Sequence, residues 1–418
     1  MKVIVIGAGI IGLSSAHYLN RLGVDVTVLD RQAGPALETS RANGCQISVS
    51  YSEPCATPSA PLKLLQWLAQ EDAPLLFRLR FDPAQWRWGA TFLVECLPSR
   101  MRRNVESMVA LSAYSREQLG LLRAATGIEY DCLTRGILRF FSDPKGFDEA
   151  KPAADRMREL GVDRRVIDAD ECVRIEPALA PLRDRIVGGD YTATDESGDI
   201  YRFCTGLADH AAGNGVEFMY QSAATRLIVE ANRVTGVEYL DARGTYHRLM
   251  ADAVVVATAS HAPRLFRPLG IYPNIYPAKG YSATYDIVDE SRAPTVSLTD
   301  DKAKIVFTRL GSRLRVAGTA ELSGFSRSLN PVRCEALTKR TRELFPGVCD
   351  YDSPVYWSGL RPSTPSNVPI IGRTRVAGLW INAGHGTLGW TMGAGSGAVL
   401  ADLMTGRTPP IRFPFATP

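Results

Sequence analysis

Lys2-Val3-Ile4-Val5-Ile6-Gly7-Ala8-Gly9-Ile10-Ile11-Gly12 opens the chain, Leu13 to Gly23 follow, and Val24-Asp25-Val26-Thr27-Val28-Leu29-Asp30 comes next. The order is a buried strand, a Gly-x-Gly-x-x-Gly turn, an amphipathic helix and a second strand that ends in an acid. Each glycine has a task in dinucleotide binding: Gly7 makes the tight turn, Gly9 lets the backbone approach a pyrophosphate, and Gly12 permits close packing of helix on sheet. The unpaired N–H groups at the helix start then face the phosphates. Asp30 stands 18 residues after Gly12, close to the spacing at which a carboxylate accepts ribose hydroxyls, and an acid there selects against a 2′-phosphate and so against NADP. The glycine pattern alone would fit an ordinary strand–helix turn; the flanking strand, helix and acid favour a dinucleotide.

At 418 residues the chain is too long for one compact core and predicts two or three domains. It is 45% hydrophobic and 22% charged with a net charge of +4, enough apolar content for a sizeable interior and no strong electrostatic preference for a partner. No basic run with interleaved aromatics points to nucleic acid. The eight cysteines are scattered, with no Cys-x-x-Cys pair and no nearby histidine cluster, which gives no basis for a metal site or a redox dithiol and suits a reducing cytosol. Met1 runs almost directly into the first strand, leaving no room for a signal peptide, and no apolar run reaches the ~18 residues of a membrane span.

Beyond Asp30 a small, polar stretch, Thr39-Ser40-Arg41-Ala42-Asn43-Gly44-Cys45-Gln46-Ile47-Ser48, suits backbone contact with a ligand. A helical, aromatic-rich region is expected from Pro61 to about residue 127. Strands are expected over Gly136–Phe141 and Arg165–Asp168, and helices over Phe147–Leu160 and Tyr201–Asn214. Val216–Tyr220, Arg226–Glu230 and Val234–Leu240 read as a small antiparallel meander, and Ala251–Ala259 as a buried strand returning to the main sheet. Residues 271–350 alternate strand signals with one basic helix, Pro331–Phe345. Gly378 to Trp390 then repeats the strand, glycine turn and helix order, the helix running through Leu403.

Leu37-Glu38-Thr39-Ser40 with Asn43, Tyr276-Pro277-Ala278-Lys279-Gly280-Tyr281-Ser282, Ser358-Gly359-Leu360-Arg361-Pro362 and Asn382-Ala383-Gly384-His385-Gly386-Thr387-Leu388-Gly389-Trp390-Thr391-Met392 resemble the bacterial D-amino acid dehydrogenase small subunits. Over nearly the whole chain the pattern is more distantly similar to glycine oxidase, sarcosine oxidase and D-amino acid oxidase. The resemblance implies an α/β fold with a discontinuous, Rossmann-like FAD-binding domain (1–50, 185–270 and 355–418) and a substrate domain built on an antiparallel sheet with helices (51–184 and 271–354). Carried over, Val3, Gly7, Ala8, Gly9, Ile10, Ile11 and Gly12 would surround the pyrophosphate, and Asp30 and Arg31 the adenosine ribose. Thr39, Ser40, Asn43, Gly44, Cys45, Gln46 and Ile47 would line the flavin side of the first loop. Ala224 would offer its backbone to the adenine, Ala257 and Thr258 would pass the dinucleotide, and Gly384, Gly386, Thr387, Leu388 and Gly389 would approach the isoalloxazine. The helix after them would stabilise negative charge on the reduced ring.

Arg361 is the leading substrate residue, because a guanidinium can grip an amino acid's carboxylate with two N–H bonds; the competing reading is a surface salt bridge. His385 could be a general base, yet a substrate entering with a neutral amine needs none. Lys279 and Tyr281 would face the pocket in the relatives, or else serve as a snorkelling lysine and a core tyrosine. Tyr51 is a further candidate. Some relatives attach FAD through a cysteine in the C-terminal third; none occurs from Tyr356 to Gly389, so FAD is expected to be non-covalent. The substrate-facing tyrosine of glycine oxidase falls here at Ile305 or Val306, and Val49-Ser50-Tyr51 stands where the dehydrogenases carry Pro-Gly-Tyr.

The implied reaction is oxidative deamination of a D-amino acid, with hydride passing from Cα to flavin N5 and the imino acid hydrolysing to a 2-oxo acid and ammonia. The electrons would go to a quinone or other respiratory-chain acceptor. Leu75 to Phe81, Trp86-Arg87-Trp88 and Phe92-Leu93, followed by Arg100, Arg102 and Arg103, could form an interfacial helix on the cytoplasmic face of the inner membrane or pack on the substrate domain. Competing functions are a dehydrogenase or oxidase of a cyclic secondary amine such as D-proline or D-hydroxyproline, a non-catalytic flavoprotein subunit, and an NAD-dependent dehydrogenase. The second glycine turn disfavours the last of these.

Overall fold

The computed structural model describes residues 1–62 and 75–417. Lys2–Ile6 is the central strand of a six-stranded sheet, flanked by Asp25–Leu29 and Ala253–Val256. Glu217–Met219 lies beyond one and Leu379–Ala383 beyond the other, all parallel, and Ile370–Arg373 closes the edge antiparallel. Strand alternation sends Val3, Val5, Val26 and Val28 into a core shared with the helices Ile10–Arg21, Ile200–Gly213 and Gly389–Met404. It sends Ile4, Ile6, Val254 and Val256 to the opposite face, which a three-stranded meander covers. A sheet buried on both faces explains why these strands are continuous apolar runs.

The meander is Ala223–Glu230, Arg233–Leu240 and Tyr246–Met250. This corrects the sequence expectation: Val216–Tyr220 contributes its centre to the parallel sheet instead, and Tyr246–Met250 takes the third place. Its residues are almost all exposed, so they carry no apolar alternation to reveal them.

The second large sheet runs Val355–Ser363, Tyr276–Asp286, Arg313–Leu322, Ile305–Leu310, Ser297–Asp300, Ile137–Phe141, Gly188–Thr192, Arg165–Asp168, and Leu75–Phe77 pairs beside Arg313–Leu322. Most neighbours are antiparallel. Helix Pro331–Leu344, started by Pro331 and capped by Asn330, which accepts from Val332 N at 3.1 Å, packs on it. The helices Pro83–Glu95 and Pro98–Thr126 lie within the expected helical region; its stretch 63–74 lies outside the described residues.

Candidate active site

Gly7 adopts φ +112°, and a Cβ there would lie 2.7 Å from Ala257 O, so the first strand–helix turn closes directly onto the end of the neighbouring strand. At Gly12 a Cβ would fall 1.7 Å from Gly7 O, which requires glycine for the helix to reach the turn. Ser40 Oγ accepts from Ile10 N at 3.3 Å. The helix's hydrogen bonding starts with Leu13 N donating to Gly9 O at 2.9 Å, so the amides of Ile11 and Gly12 precede it as donors for a phosphate.

Asp30 accepts from Ala8 N at 2.7 Å through one oxygen and from Gln32 N at 2.8 Å through the other. Burial raises its pKa while these two bonds oppose the rise, and each oxygen keeps a lone pair for a sugar hydroxyl. Arg31 is held by Glu38 and by His261.

The first loop is stitched to the second sheet through three successive carbonyls. Ala42 O accepts from Ser282 Oγ at 2.7 Å, Asn43 O from Arg315 Nη1 at 3.2 Å, and Gly44 O from Thr308 Oγ1 at 2.8 Å. Thr39 Oγ1 adds a bond to Leu360 O at 2.9 Å. Further along, the buried carboxylate of Asp195 accepts from Ser48 Oγ, Val49 N and Ser50 Oγ at 2.8, 2.9 and 2.6 Å, and Ser48 N donates to Thr391 Oγ1 at 3.1 Å. One acid thereby fixes the backbone that presents Tyr51 and ties it to the C-terminal helix. No sequence signal identifies Asp195 with this loop, since the two are 145 or more residues apart.

These elements enclose a continuous cavity of about 2000 Å³. Gly7, Gly9, Ile10, Ile11, Asp30, Arg31, Thr39, Ser40, Asn43, Gly44, Cys45, Gln46, Ala224, Ala257, Thr258 and the turn at Gly384, Gly386, Thr387, Leu388 and Gly389 all border it, as do Arg361, His385, Tyr281 and Tyr51. Val3, Ala8, Gly12 and Ile47 stand behind the wall: Val3 and Ile47 are fully buried, Gly12 packs on the turn and Ala8 acts through Asp30. Val306, one of the two positions aligned with the glycine oxidase tyrosine, lines the cavity, and a Cβ on Gly44 would strike it at 2.7 Å.

Arg361 stands on the strand Val355–Ser363, opposite Ala278. Its guanidinium lies over Gly280, where a Cβ would be 2.4 Å from Nη2, and Nη1 donates to Thr319 O at 2.9 Å. Thr319 presents that carbonyl from a β-bulge, with φ +57° and a register shift between Lys279 and Tyr281. Among the described residues no carboxylate pairs with Arg361. Burial disfavours its charge, which Cys55 and Tyr51 partly offset. A largely desolvated cation with no carboxylate partner among the described residues is electrostatically suited to an anion.

Lys279 does not face the cavity. Alternation along Tyr276–Asp286 turns it away from Arg361, where its Nζ lies 3.2 Å from Glu321 Oε2 and donates to Ser328 O at 3.1 Å. Lys279 therefore stands outside the cavity lining, on the side of the snorkelling-lysine alternative. Tyr281 touches the cavity wall, but its ring belongs to the second core and its hydroxyl donates to Glu321 at 2.6 Å. Burial raises the Glu321 carboxyl, yet the Tyr281 and Lys279 hydrogen bonds and the Lys279 charge prevail and hold it down to about 2.

His385 is buried, with Nε2 2.8 Å from Ser396 Oγ, and burial pushes its pKa down to about 3. Burial thus favours the neutral imidazole, held between the turn and the C-terminal helix. Tyr51 lies within cation–π range of Arg139, 5.4 Å from the guanidinium to the ring centre.

A glycine turn beside a half-buried acid, a second glycine turn at a helix start and a cavity joining them to the second sheet are the features of a flavin-dependent oxidoreductase, and FAD fits the cradle that Gly7 and Gly9 leave. Residues 2–403 match the FAD dependent oxidoreductase (DAO) family, and the chain belongs to it. It is 53% identical over 415 residues to the D-amino acid dehydrogenase of Dechloromonas aromatica (strain RCB), covering 99% of each chain. It is 48% identical over 408 residues to that of Paramagnetospirillum magneticum (strain ATCC 700264 / AMB-1), covering 97% of this chain and 96% of the relative. Among solved structures, L-proline dehydrogenase from P. horikoshii superimposes with a TM-score of 0.75 at 18% identity, covering 98% of this chain and 95% of that one. Glycine oxidase from Bacillus cereus ATCC 14579 does so at 0.72 and 21%, covering 97% and 95%. These likenesses establish the fold.

Proposed function

We propose that this chain is an FAD-dependent D-amino acid dehydrogenase that deaminates D-amino acids oxidatively to 2-oxo acids and ammonia. The observation that carries the substrate assignment is the Arg361 guanidinium, bordering the cavity with no carboxylate partner among the described residues. Its bond to Thr319 O fixes the fork, and its remaining N–H groups receive the substrate carboxylate, which sets the position of Cα. The residues of the two glycine turns would hold FAD non-covalently, and FAD would supply the acceptor for the Cα hydride. His385 takes no proton, so the substrate amine gives up its proton to solvent before it is engaged. Residues 1–50, 185–270 and 355–418 form the FAD-binding unit, and 51–184 and 271–354 the substrate unit, with Val355–Ser363 and Gly188–Thr192 reaching across into the substrate sheet.

The electrons pass to a quinone or comparable acceptor, and the protein meets the membrane peripherally. No helix of the described residues is long and apolar enough to cross one. The expected interfacial helix is corrected: Leu75–Phe77 is a strand, and Trp88 and Phe92 turn inward onto Tyr276, Ala278 and Leu322. Leu79, Phe81, Trp86, Leu93 and Leu97 remain exposed, beside the exposed arginines Arg87, Arg100, Arg102 and Arg103.

The test is anaerobic bleaching of the flavin absorbance by a panel of D- and L-amino acids. Bleaching by several D-amino acids and no L-isomer is expected. Bleaching by D-proline and D-hydroxyproline alone would transfer the assignment to cyclic secondary amines, and no bleaching at all would overturn it.

A further inference from the structure

Gly280 and Gly359 are direct partners across the antiparallel pair Tyr276–Asp286 and Val355–Ser363, and each is overlain by a large side chain. A Cβ on Gly280 would meet Arg361 Nη2 at 2.4 Å, and one on Gly359 would meet Trp357 Cη2 at 2.0 Å and Cζ3 at 2.6 Å. Opposed Cβ positions on such strands are about 4.5–5.5 Å apart. The benzo edge of the indole and the guanidinium therefore occupy adjacent places on one floor. Trp357, Gly359 and Arg361 alternate onto the same strand face and, with Gly280, line the cavity. Trp357 is only half-buried.

A carboxylate held by Arg361 leaves Cα one bond away and the side chain a second bond further, a reach comparable with the separation of the two overlain glycines. We propose that Trp357 is a specificity-determining residue, the apolar wall against which the substrate's side chain packs; this rests on the reading that Arg361 holds the carboxylate. The substrate class it selects is D-amino acids with extended apolar side chains. An anionic side chain laid on the same ring would lose solvation without a partner.

The experiment compares kcat/KM for D-norvaline and D-alanine in the wild type, Trp357→Phe and Trp357→Ala, all as FAD-loaded protein. The two substrates share carboxylate, amine and Cα, and differ by two methylenes. Trp357→Ala is expected to lower the norvaline-to-alanine ratio by about fivefold or more, from the usual worth of buried methylenes, with Trp357→Phe intermediate. Should Trp357→Ala not fold, a lower ratio in Trp357→Phe supports the proposal and an unchanged one overturns it. An unchanged ratio with both KM values raised would mean the indole only props Arg361, and a higher ratio would mean that it obstructs the side chain; either result overturns the proposal. Failure of the underlying reading is separately visible, because Arg361→Ala would then leave KM for both substrates unchanged.

Discussion

Gly280 is the least conspicuous part of the substrate grip and one of its strictest. Its missing Cβ is the space that the Arg361 guanidinium fills, so Gly280→Ala should displace the fork without altering its charge. KM for a D-amino acid should rise with FAD content unchanged, and an unaltered KM would show that the guanidinium works from elsewhere. Arg361→Ala removes the charge itself. Charge-assisted hydrogen bonds are worth about 1.5–3 kcal/mol each, so losing a two-bond grip should raise KM by at least about a hundredfold; Arg361→Lys, with a point charge in place of a fork, should recover only part of this. Steady-state kinetics on the three variants checks both expectations. Behind the same strand, Glu321 has the opposite character. Its folded pKa of about 2 lies below the ordinary glutamate value near 4.3, so its contribution to stability is complete above that value and is lost as pH falls towards 2. Glu321→Gln strands the buried Lys279 charge, at a cost of about 3–5 kcal/mol, and should flatten the acid limb of the unfolding profile between about pH 4.5 and 2. Chemical denaturation across that range is the measurement. Arg361 was legible from its motif. The inward turn of Lys279 was not, because strand alternation gives two faces without saying which one meets the cavity.

At the scale of elements, legibility followed locality. The first strand and the Gly7–Gly12 turn are written in eleven consecutive residues, Lys2 to Gly12, and the packing repeats that reading: the helix Ile10–Arg21 approaches so closely that a Cβ on Gly12 would overlap Gly7 O at 1.7 Å. Gly12→Ala must push helix and turn apart, so the purified protein is expected to lose its flavin and to melt lower than the wild type. Full flavin occupancy in that variant would contradict the closeness of the contact. The loop from Thr39 to Ser48 was legible as a ligand-facing segment from its small polar composition. Its fastening was not, since Ser282, Arg315 and Thr308 reach it from strands more than two hundred residues away. The same distinction explains the exchange at the meander. Val216–Tyr220 and Val234–Leu240 carry similar local patterns, and pairing with Asp25–Leu29 is a tertiary choice that no window of sequence contains.

Across the whole molecule, the chain crosses between its two large sheets repeatedly, and Val355–Ser363 carries Arg361 in the substrate sheet only a few residues before Ile370–Arg373 joins the parallel sheet. That closeness sets substrate grip and flavin cradle around one cavity, and it leaves the helix Pro83–Glu95 as an outer wall with two unlike faces. Trp88 and Phe92 stack inward at 5.2 Å, while Trp86 is 57% exposed and Leu93 55% exposed; Phe81, just before the helix, is fully exposed. Phe81 and Leu97, exposed and outside the cavity lining, together with the exposed arginines Arg87, Arg100, Arg102 and Arg103, match the composition of an interfacial contact. Each arginine near an anionic surface contributes about 1 kcal/mol, and inserting an aromatic side chain such as Phe81 adds about 1.5–3 kcal/mol. The electrostatic part is screened by salt and the apolar part is not. The holoenzyme should therefore float with anionic vesicles at low ionic strength, less at about 0.5 M salt, and least with purely zwitterionic lipid. Phe81→Ser with Leu97→Ser, neither of which borders the cavity, should weaken flotation at every salt concentration and leave anaerobic flavin reduction by D-amino acids unchanged. Absence of flotation at low salt would refute the membrane contact, whereas flotation indifferent to the double variant would move it to another surface.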